Sequence, residues 1–360
     1  TMGIIGTSSI GRQVAMRKLS ALLASTSLTT SCAFLHNHSA HPQSSRQIMS
    51  TSEVDAIEST LRPKICSRKN VKSSALRDQI RHGSSSSERL TLEKIVDSLK
   101  EDNYKKIIVV AGAGVSCSAG IPDFRTPGSG LYDNLHKFDL PYAEAIFDLD
   151  FYRRNPMPFV TLSKEIWPGV KYRPTLTHCF FSLLGNKGIL QRVYTQNIDG
   201  LEAVAGVDPD KLVECHGHFR SASCINCGME HTADDCKSSM VDKGEAPTCN
   251  NCGGLVKPSI VFFGEVMPSR FSDLVHFDVA SCDLVITLGT SLLVAPVSNI
   301  PDWVKSNTHR MLINRELAGS FHRANDVFLE GDCDESVREL CSMVGWEEEL
   351  DQLYSDAQSK

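Results

Sequence analysis

KKIIVVAGAGVSCSAGIPDFRTPGSGL, residues 105–131, is the stretch of sequence that decides the fold. Residues 107–110 are a short apolar run of β-branched side chains, typical of a central parallel strand covered on both faces. Gly112 and Gly114 follow at once. Glycines there let the backbone approach a phosphate, and the amides of the next helix point at the anion. The stretch therefore predicts a dinucleotide-binding turn, although a plain tight strand-to-helix turn shows the same pattern.

The residues after these glycines depart from an ordinary dinucleotide fingerprint. That fingerprint continues into an unbroken helix, with an acidic residue about 20 positions further on. Here Pro122 would break a helix, so Ile121, Pro122, Asp123, Phe124 and Arg125 are expected to form a loop beside the phosphate site. The loop would place an acid, an aromatic ring and a guanidinium next to the phosphate site.

The composition indicates a folded protein with a sizeable core. Of the 360 residues, 41% are apolar. No run approaches the roughly 18 consecutive apolar residues of a membrane-spanning helix. The formal net charge of -6 argues against a surface that coats nucleic acid. We therefore expect a soluble monomer whose partners include neither nucleic acid nor a membrane.

Residues 1–52 differ in composition from the rest of the chain. They contain basic residues and many serines and threonines, but no Asp or Glu, which is the composition of a mitochondrial transit peptide. Within them, residues 12–23 can form a basic amphipathic helix. A disordered tail without a targeting role is the alternative. Residues 53–88 are rich in serine and are interpreted as a linker. This organisation predicts a protein of the mitochondrial matrix.

Polar residues follow two further predicted strands at their carboxyl ends, the edge where an open parallel sheet binds ligands. The segment TQNIDG, residues 195–200, follows a strand predicted at 189–194. An Asn or Asp at such a position is often only a helix cap. His216 follows a strand predicted at 211–215. Imidazole titrates near neutral pH, so His216 is the best candidate for a general base.

Two Cys-X-X-Cys pairs predict a metal site. Cys224 and Cys227 form the first pair, and Cys249 and Cys252 the second. Two such pairs supply four thiolates to a tetrahedral zinc ion, which leaves no coordination position open, so the zinc is expected to be structural. Two disulfides are the alternative, disfavoured in an intracellular chain. Cys236, between the pairs, lacks a paired partner.

The remaining sequence alternates between strand and helix patterns. Strands are predicted at 260–263, 284–288, 310–313 and 326–329, and helices at 91–100, 175–185, 269–279, 336–343 and 347–354. Residues 141–168 are expected to form several short helices over the cofactor, interrupted by prolines. Together these elements predict an α/β fold: a Rossmann-like, doubly wound parallel sheet with a small zinc-ribbon domain inserted at about 217–256.

The motifs resemble those of the sirtuins, the NAD-consuming protein lysine deacylases. The family signature GAGxSxxxGIPDFR is met at every fixed position from Gly112 to Arg125. TQNIDGLE, CHG, the two cysteine pairs, VKPSIVFFGE, LGTSL and INRE follow in the family's order. PGSGLYDNL and DLPYAEAIF are most similar to the mitochondrial and cytoplasmic deacetylase branch. The resemblance implies a catalytic domain at 89–346, followed by a carboxyl-terminal helix and tail at 347–360.

The resemblance also implies residue roles. His216 is the expected general base, and Asn197 and Asp199, with Ile121, are expected to hold the nicotinamide carboxamide. The residues expected to bind NAD are Gly112, Ala113, Gly114, Ser116, Gly120, Ile121, Pro122, Asp123, Phe124, Arg125, Gln196, Asn197, Ile198, Asp199, Gly289, Thr290, Ser291, Asn314, Arg315, Glu316, Asp332 and Cys333. The residues expected to line an acyl-lysine tunnel or pair with the peptide are Phe147, Ile198, Ile260, Val261, Phe263, Gly264, Glu265, Leu293 and Val294.

The activity implied by the resemblance is NAD-dependent deacetylation of lysine in acetylated proteins. The acetyl group passes to ADP-ribose, so the products are free lysine, nicotinamide and O-acetyl-ADP-ribose. NAD is a co-substrate and zinc a structural ion. A protein mono-ADP-ribosyltransferase and a non-enzymatic module that binds NAD or zinc are the alternatives.

The acyl group that the enzyme is expected to prefer is predicted from a sequence motif that is missing after the signature. Relatives that remove succinyl or malonyl groups place a Tyr and an Arg three residues apart after the signature, to bind the acyl carboxylate. Here Tyr132 is followed by Asp133, Asn134 and Leu135. A buried carboxylate without a cationic partner is disfavoured, so the sequence predicts a preference for acetyl lysine.

Overall fold

The computed structural model describes residues 89–122, 140–168 and 172–359. All of them lie in one compact unit, Gly83–Lys360. Several predictions fall outside the described residues. These are the transit peptide and linker, Asp123, Phe124 and Arg125 of the signature, and the segment 132–135.

The described residues contain nine strands in two sheets. The strands are β1 Ile107–Ala111, β2 Leu190–Thr195, β3 Leu212–Glu214, β4 Gly217–Cys224, β5 Glu230–Thr232, β6 Val256–Ile260, β7 Leu284–Leu288, β8 His309–Asn314 and β9 Asp326–Glu330. Six of them form a parallel sheet in the order β3-β2-β1-β7-β8-β9. The chain builds outward from β1 in one direction and from β7 in the other. Ligands bind at such a reversal, beyond the carboxyl ends of the strands.

The described residues contain ten α-helices, and six of them cover the two faces of this sheet. The helices are α1 Leu92–Lys100, α2 Leu149–Arg154, α3 Met157–Ile166, α4 Leu176–Asn186, α5 Leu201–Val204, α6 Ala233–Lys237, α7 Ser269–Ser281, α8 Ile300–Trp303, α9 Cys333–Val344 and α10 Glu347–Ser359. The six on the sheet are α1, α4 and α7 to α10. Further helical turns, not α-helical, lie at Ala113–Ala119, Ala143–Phe147, Pro209–Lys211, Ser238–Lys243 and Val297–Asn299. None of the helices in the described part of the chain is long and apolar enough to cross a membrane.

Strand β1 is the centre of two hydrophobic cores. Ile107 and Val109 pack in the core that contains α1, α4, α9 and α10. Ile108 and Val110 face the opposite core, against α7 and α8. Successive side chains on a strand point to opposite faces, so a strand covered on both sides must be apolar throughout. These layers confirm the predicted Rossmann-like α/β fold.

Strands β4, β5 and β6 form a second, antiparallel sheet in the order β5-β4-β6, the small domain that the cysteine pairs predict. Gly217 opens β4 with φ +76°, and a Cβ there would lie 2.1 Å from the Ser259 carbonyl oxygen. Only glycine therefore allows β4 and β6 to meet beside His216.

One sequence prediction was wrong in placement. Residues 260–263 are not a strand of the parallel sheet, because β6 ends at Ile260 and pairs antiparallel with β4. The apolar run instead lines a cavity. The several short helices predicted within 141–168 are present, and their placement over a cofactor stays a prediction. Helices α2 and α3 pack in the core of the small domain, where the Tyr152 hydroxyl donates to the Val256 carbonyl oxygen at 2.8 Å. Pro158 lies in the first turn of α3, where a missing amide proton costs no hydrogen bond.

Candidate active site

A cavity of about 660 Å³ opens at the reversal point of the sheet, between the loops that follow β1 and β7. Its lining comes from the ends of several strands, as the fold requires. The predicted NAD residues in its wall are Gly112, Ala113, Gly114, Gln196, Asn197, Ile198, Gly289, Thr290, Ser291, Asn314, Arg315, Glu316, Asp332 and Cys333. The predicted substrate residues in its wall are Phe147, Ile198, Ile260, Val261, Phe263, Gly264, Glu265 and Val294.

The glycines after β1 have a packing role that the sequence did not indicate. A Cβ on Gly112 would lie 2.7 Å from the Gly289 carbonyl oxygen, and one on Gly114 would lie 2.6 Å from the Gly289 Cα. The Gly114 amide donates to the Gly289 carbonyl oxygen at 2.8 Å. The two loops at the mouth of the crevice therefore touch backbone to backbone, and a side chain on either glycine would separate them.

Ser116, Asn197 and Asp199 form a hydrogen-bonded group behind the glycine loop. The Ser116 hydroxyl donates to Asp199 Oδ2 at 2.7 Å, and Asn197 Nδ2 donates to Ser116 Oγ at 3.2 Å. Asn197 Nδ2 also donates to the Gly112 carbonyl oxygen at 3.2 Å. Asn197 lines the cavity, whereas Ser116 is buried beneath it. The arrangement ties the residues predicted to hold a carboxamide to the residues predicted to hold phosphates.

His216 lines the cavity and lies in the chain between the end of β3 and the start of β4. Its Nδ1 lies 2.8 Å from the Gln196 carbonyl oxygen, and an oxygen can only accept, so Nδ1 carries the proton of the neutral ring. Burial lowers the pKa of His216, and the hydrogen bond to Gln196 opposes this. The ring is therefore neutral at physiological pH, and the lone pair that can accept a proton is on Nε2.

One end of the cavity is polar. Gln196 Nε2 donates to Thr290 Oγ1 at 3.0 Å, and Arg315 forms an ion pair with Asp332 at 3.1 Å. Asn314 Nδ2 donates to the Glu316 carbonyl oxygen at 2.8 Å. Hydroxyls, amides and a guanidinium supply the hydrogen-bonding groups that a ribose and an adenine ring need.

The other end of the cavity is apolar. Backbone hydrogen bonds hold its wall: the Phe263 amide donates to the Phe147 carbonyl oxygen at 2.8 Å, and the Val261 amide to the His216 carbonyl oxygen at 2.8 Å. The Phe147 ring packs edge-on against Phe262, 6.1 Å between centroids. The segment 261–263 is hydrogen-bonded to both Phe147 and His216. It therefore fixes the position of the apolar wall relative to the candidate base.

A buried ion pair supports this wall from behind. Lys257 Nζ lies 2.9 Å from Glu265 Oε2, and the lysine side chain is only 4% exposed. Nζ also donates to the Ile260 carbonyl oxygen at 2.6 Å, and it lies 4.7 Å from the centre of the Phe262 ring. Glu265 Oε2 in turn accepts the Phe262 amide at 2.7 Å. We call Lys257 and Glu265 the wall ion pair. It closes the segment 260–265 into a tight loop.

The four paired cysteines come together at the tip of the small domain. Their sulfur atoms all lie within 4.8 Å of one another, with Cys224 and Cys252 at 3.5 Å and Cys227 and Cys249 at 3.7 Å. Four sulfurs at zinc–thiolate bond length around a tetrahedral ion are about 3.8 Å apart. All four are free thiols, which excludes the disulfide alternative for this structure. The residues fit zinc.

Some predicted residues lie apart from the cavity. Ser116, Gly120, Ile121, Pro122 and Asp199 are absent from its lining, and Leu293 is 69% exposed outside it. The lining residues that the sequence did not identify are Cys117, Phe262, Met267, Ala295 and Pro296. Phe262 sits within the quoted motif VKPSIVFFGE, so its neighbours gave a signal. Cys117 occupies a variable position of the signature at 112–125, so its neighbours also gave a signal, whereas Met267 lies outside every motif.

Fold and site together define a dinucleotide-binding α/β protein with a four-cysteine zinc module. The model of the Sir2 family matches residues 112–296. The NAD-dependent protein deacetylase hst2 of Schizosaccharomyces pombe is 49% identical over 263 residues, 73% of this chain and 79% of that protein. The NAD-dependent protein deacetylase sirtuin-3 of Mus musculus is 45% identical over 283 residues, 77% of this chain and 83% of that protein. For sirtuin-2 of Danio rerio the identity is 41% over 286 residues, with coverage of 74% and 75%. The chain belongs to the Sir2 family.

Proposed function

We propose that this protein is an NAD-dependent protein lysine deacetylase. The observation that carries the proposal is the position of His216 in the cavity lining, where it is hydrogen-bonded both to Gln196, which contacts Thr290, and to Val261 of the apolar wall. A base so placed can serve a reaction between a dinucleotide and a lysine side chain. The relatives that share the fold are named as deacetylases of this kind.

The polar end of the cavity would take the adenosine and ribose of NAD, and the glycine loop its phosphates. Asn197 and Asp199 would hold the nicotinamide carboxamide. NAD supplies the ADP-ribose to which the acetyl group passes. His216 would take a proton at Nε2 from a ribose hydroxyl, since Nδ1 is engaged by Gln196.

The apolar end would take the acetylated lysine. Ile198, Ile260 and Phe263 in its wall are apolar, and the carboxylate of Glu265 in the same wall is paired with Lys257, which suits a neutral acyl chain. Filling this end with an apolar side chain would keep water away from the reacting carbon. Gly264 and Val294 lie in the same wall, where a peptide strand could pair with their backbone.

The zinc site would be structural. Cys224 and Cys249 belong to the buried core of the small domain, and all four thiol ligands come from the protein. A closed tetrahedral set leaves no position for a reacting water. The ion would hold the module, and through β4 and β6 the residues next to His216.

Incubation with NAD and an acetylated peptide tests the function. We expect a peptide lighter by one acetyl group, formed only when NAD is present. A peptide heavier by an ADP-ribosyl group would identify a mono-ADP-ribosyltransferase instead. An unchanged peptide with intact NAD would identify a binding module and overturn the proposal.

We also propose that residues 1–52 direct the protein to the mitochondrial matrix and that 89–346 is the catalytic domain. Composition supports the first: the segment is basic and lacks acidic residues. A fluorescent reporter carrying residues 1–52 should enter mitochondria, and a matched reporter with Arg12, Arg17 and Lys18 changed to Glu should not. Diffuse cytosolic fluorescence of the first reporter would contradict the assignment. That the protein acts as a monomer stays a prediction, which analytical ultracentrifugation checks.

A further inference from the structure

Glu202 is a buried acid that the proposed reaction does not use. It lies on α5, directly after the loop that contains Asn197 and Asp199, and its side chain is fully buried. Neither carboxyl oxygen has a hydrogen-bond partner of good geometry. An ionised carboxylate in such a place would lose its hydration without compensation, so the neutral acid is strongly favoured.

The neighbours of Glu202 make ionisation still less favourable. One oxygen or nitrogen atom from each of His178, Asp199 and Glu202 lies within 4.8 Å of the others. Asp199 is the better-stabilised carboxylate, because it accepts the Ser116 hydroxyl at 2.7 Å and the Leu201 amide at 2.9 Å. A second negative charge this close would be repelled, so the two carboxyl groups hold one proton between them, on Glu202.

His178 does not offset this charge. Its Nδ1 accepts the Thr175 amide at 3.1 Å, which places the proton of the neutral ring on Nε2. Burial lowers the pKa of His178, while Asp199 and then Asp334 oppose the shift. The ring therefore stays neutral in its buried position. A protonated Nε2 also cannot ligate a metal ion, so the cluster favours a shared proton over a bound cation.

The titration of Glu202 falls in an accessible range. Burial raises the pKa of Glu202 to about 8, and the charge of Asp199 adds to the effect. The Thr195 hydroxyl and the backbone amide of Glu202 lower it, whereas Glu214, on β3, raises it. A raised pKa means that the acid is neutral below about 8 and becomes charged above it.

We propose that Glu202 is a positioning residue for the nicotinamide site. While Glu202 is neutral, Asp199 keeps its hydrogen bonds to Ser116 and Leu201, in the arrangement that receives the carboxamide, and loss of the Glu202 proton disrupts that arrangement by repulsion. The inference rests on the proposed role of Asp199 at this site. Ionisation of Glu202 should therefore weaken nicotinamide binding at alkaline pH. The catalytic base cannot cause this loss, because its ring is neutral throughout that range.

The experiment measures the affinity of the full chain for nicotinamide between pH 6.5 and 9.5 by calorimetry. Wild type should lose affinity above the midpoint of the Glu202 titration, approaching about tenfold per pH unit. Glu202→Gln keeps a hydrogen-bond donor but cannot ionise, so its affinity should not depend on pH. Glu214→Gln is the matched control: it removes a charge that raises the pKa of Glu202 but leaves Glu202 able to ionise, so it should keep the alkaline loss with a midpoint at lower pH.

A pH-independent wild type, or a Glu202→Gln variant with the same alkaline loss, overturns the proposal. If that variant does not fold, infrared spectroscopy of wild type with carboxyl-labelled glutamate decides. A protonated glutamic acid carbonyl band should be present at pH 7 and disappear with the midpoint of the affinity loss. No such band at pH 7, or its loss on adding Mg²⁺ or Zn²⁺ at constant pH, contradicts the shared proton. These measurements need no turnover, so absence of deacetylation would count against the proposed function alone.

Discussion

Replacing Lys257 by Met breaks the wall ion pair while keeping a side chain of similar length. The substitution removes the ammonium that donates to the Ile260 carbonyl oxygen at 2.6 Å and to Glu265 at 2.9 Å. It leaves Phe262 in place, with its ring against the new thioether. The segment 260–265, which forms the apolar wall of the cavity, loses its support from behind.

The expected cost follows from the surroundings of each partner. A hydrogen bond to a charged group contributes about 1.5–3 kcal/mol, and Lys257 makes such bonds to buried acceptors. Against this, burial lowers the pKa of Lys257, so removing the ammonium also removes a desolvation cost. Glu265 is 25% exposed and keeps the Phe262 amide, so water can partly replace the lost partner. We expect the free energy of unfolding to fall by about 2–3 kcal/mol. This is less than the 3–5 kcal/mol typical of breaking a fully buried pair.

Urea denaturation measures the stability, and steady-state kinetics measure the site. Lys257→Met should raise the KM for an acetylated peptide several-fold and leave the KM for NAD near the wild-type value, because the pair supports only the apolar end. The double variant Lys257→Met with Glu265→Gln should recover about 1 kcal/mol of the loss, since no unpaired carboxylate then remains. Unchanged stability together with an unchanged peptide KM would refute the reasoning.

The remaining predictions concern the zinc site, the base and the acyl pocket. Cys249→Ser should lose zinc and unfold at lower temperature, because structural zinc contributes folding free energy, whereas Cys236→Ala should keep its zinc; a zinc-free variant as stable as wild type contradicts this. The value of kcat/KM should fall about tenfold per pH unit below the pKa of His216, because only the neutral ring accepts a proton. Burial lowers this pKa, so the midpoint of the pH profile should lie below 6.5. A midpoint above 7 would exclude His216 as the base. Acetyl lysine should be turned over at least about tenfold faster than succinyl lysine, or roughly 1.4 kcal/mol, on one peptide; equal rates show that the pocket was misread.

The sequence predicted the central sheet closely because its strands carry a strong signal. Strand β7 begins and ends where it was expected, and β1 differs by one residue, since both are apolar runs buried on both faces. Helix ends were less accurate. Helix α9 starts at Cys333 instead of Ser336 because the Asp332 side chain caps it by accepting the Asp334 amide. A cap of this kind is a contact between side chain and backbone that hydrophobic periodicity does not register.

The misplaced segment 260–263 shows why pattern alone was insufficient. An apolar run can mean a strand buried in a sheet or a wall that faces a ligand, and the two look alike along the chain. The sequence also could not predict the contacts of Glu202 with His178 and Asp199, or that of Lys257 with Glu265. These residues come together only when the chain has folded around the crevice. By contrast the four cysteines were predicted together, since metal ligation requires both a residue type and a spacing.

The fate of NAD in wild type and in His216→Ala tests the central claim most directly. Each protein is incubated with NAD and an acetylated peptide, and nicotinamide, O-acetyl-ADP-ribose and deacetylated peptide are quantified by mass spectrometry. We predict equal amounts of the three products from wild type, and a rate of O-acetyl-ADP-ribose formation about 10²–10⁴ lower in the variant, with NAD affinity within a few-fold. Undiminished product formation by His216→Ala, or deacetylation by wild type without NAD, would contradict the account.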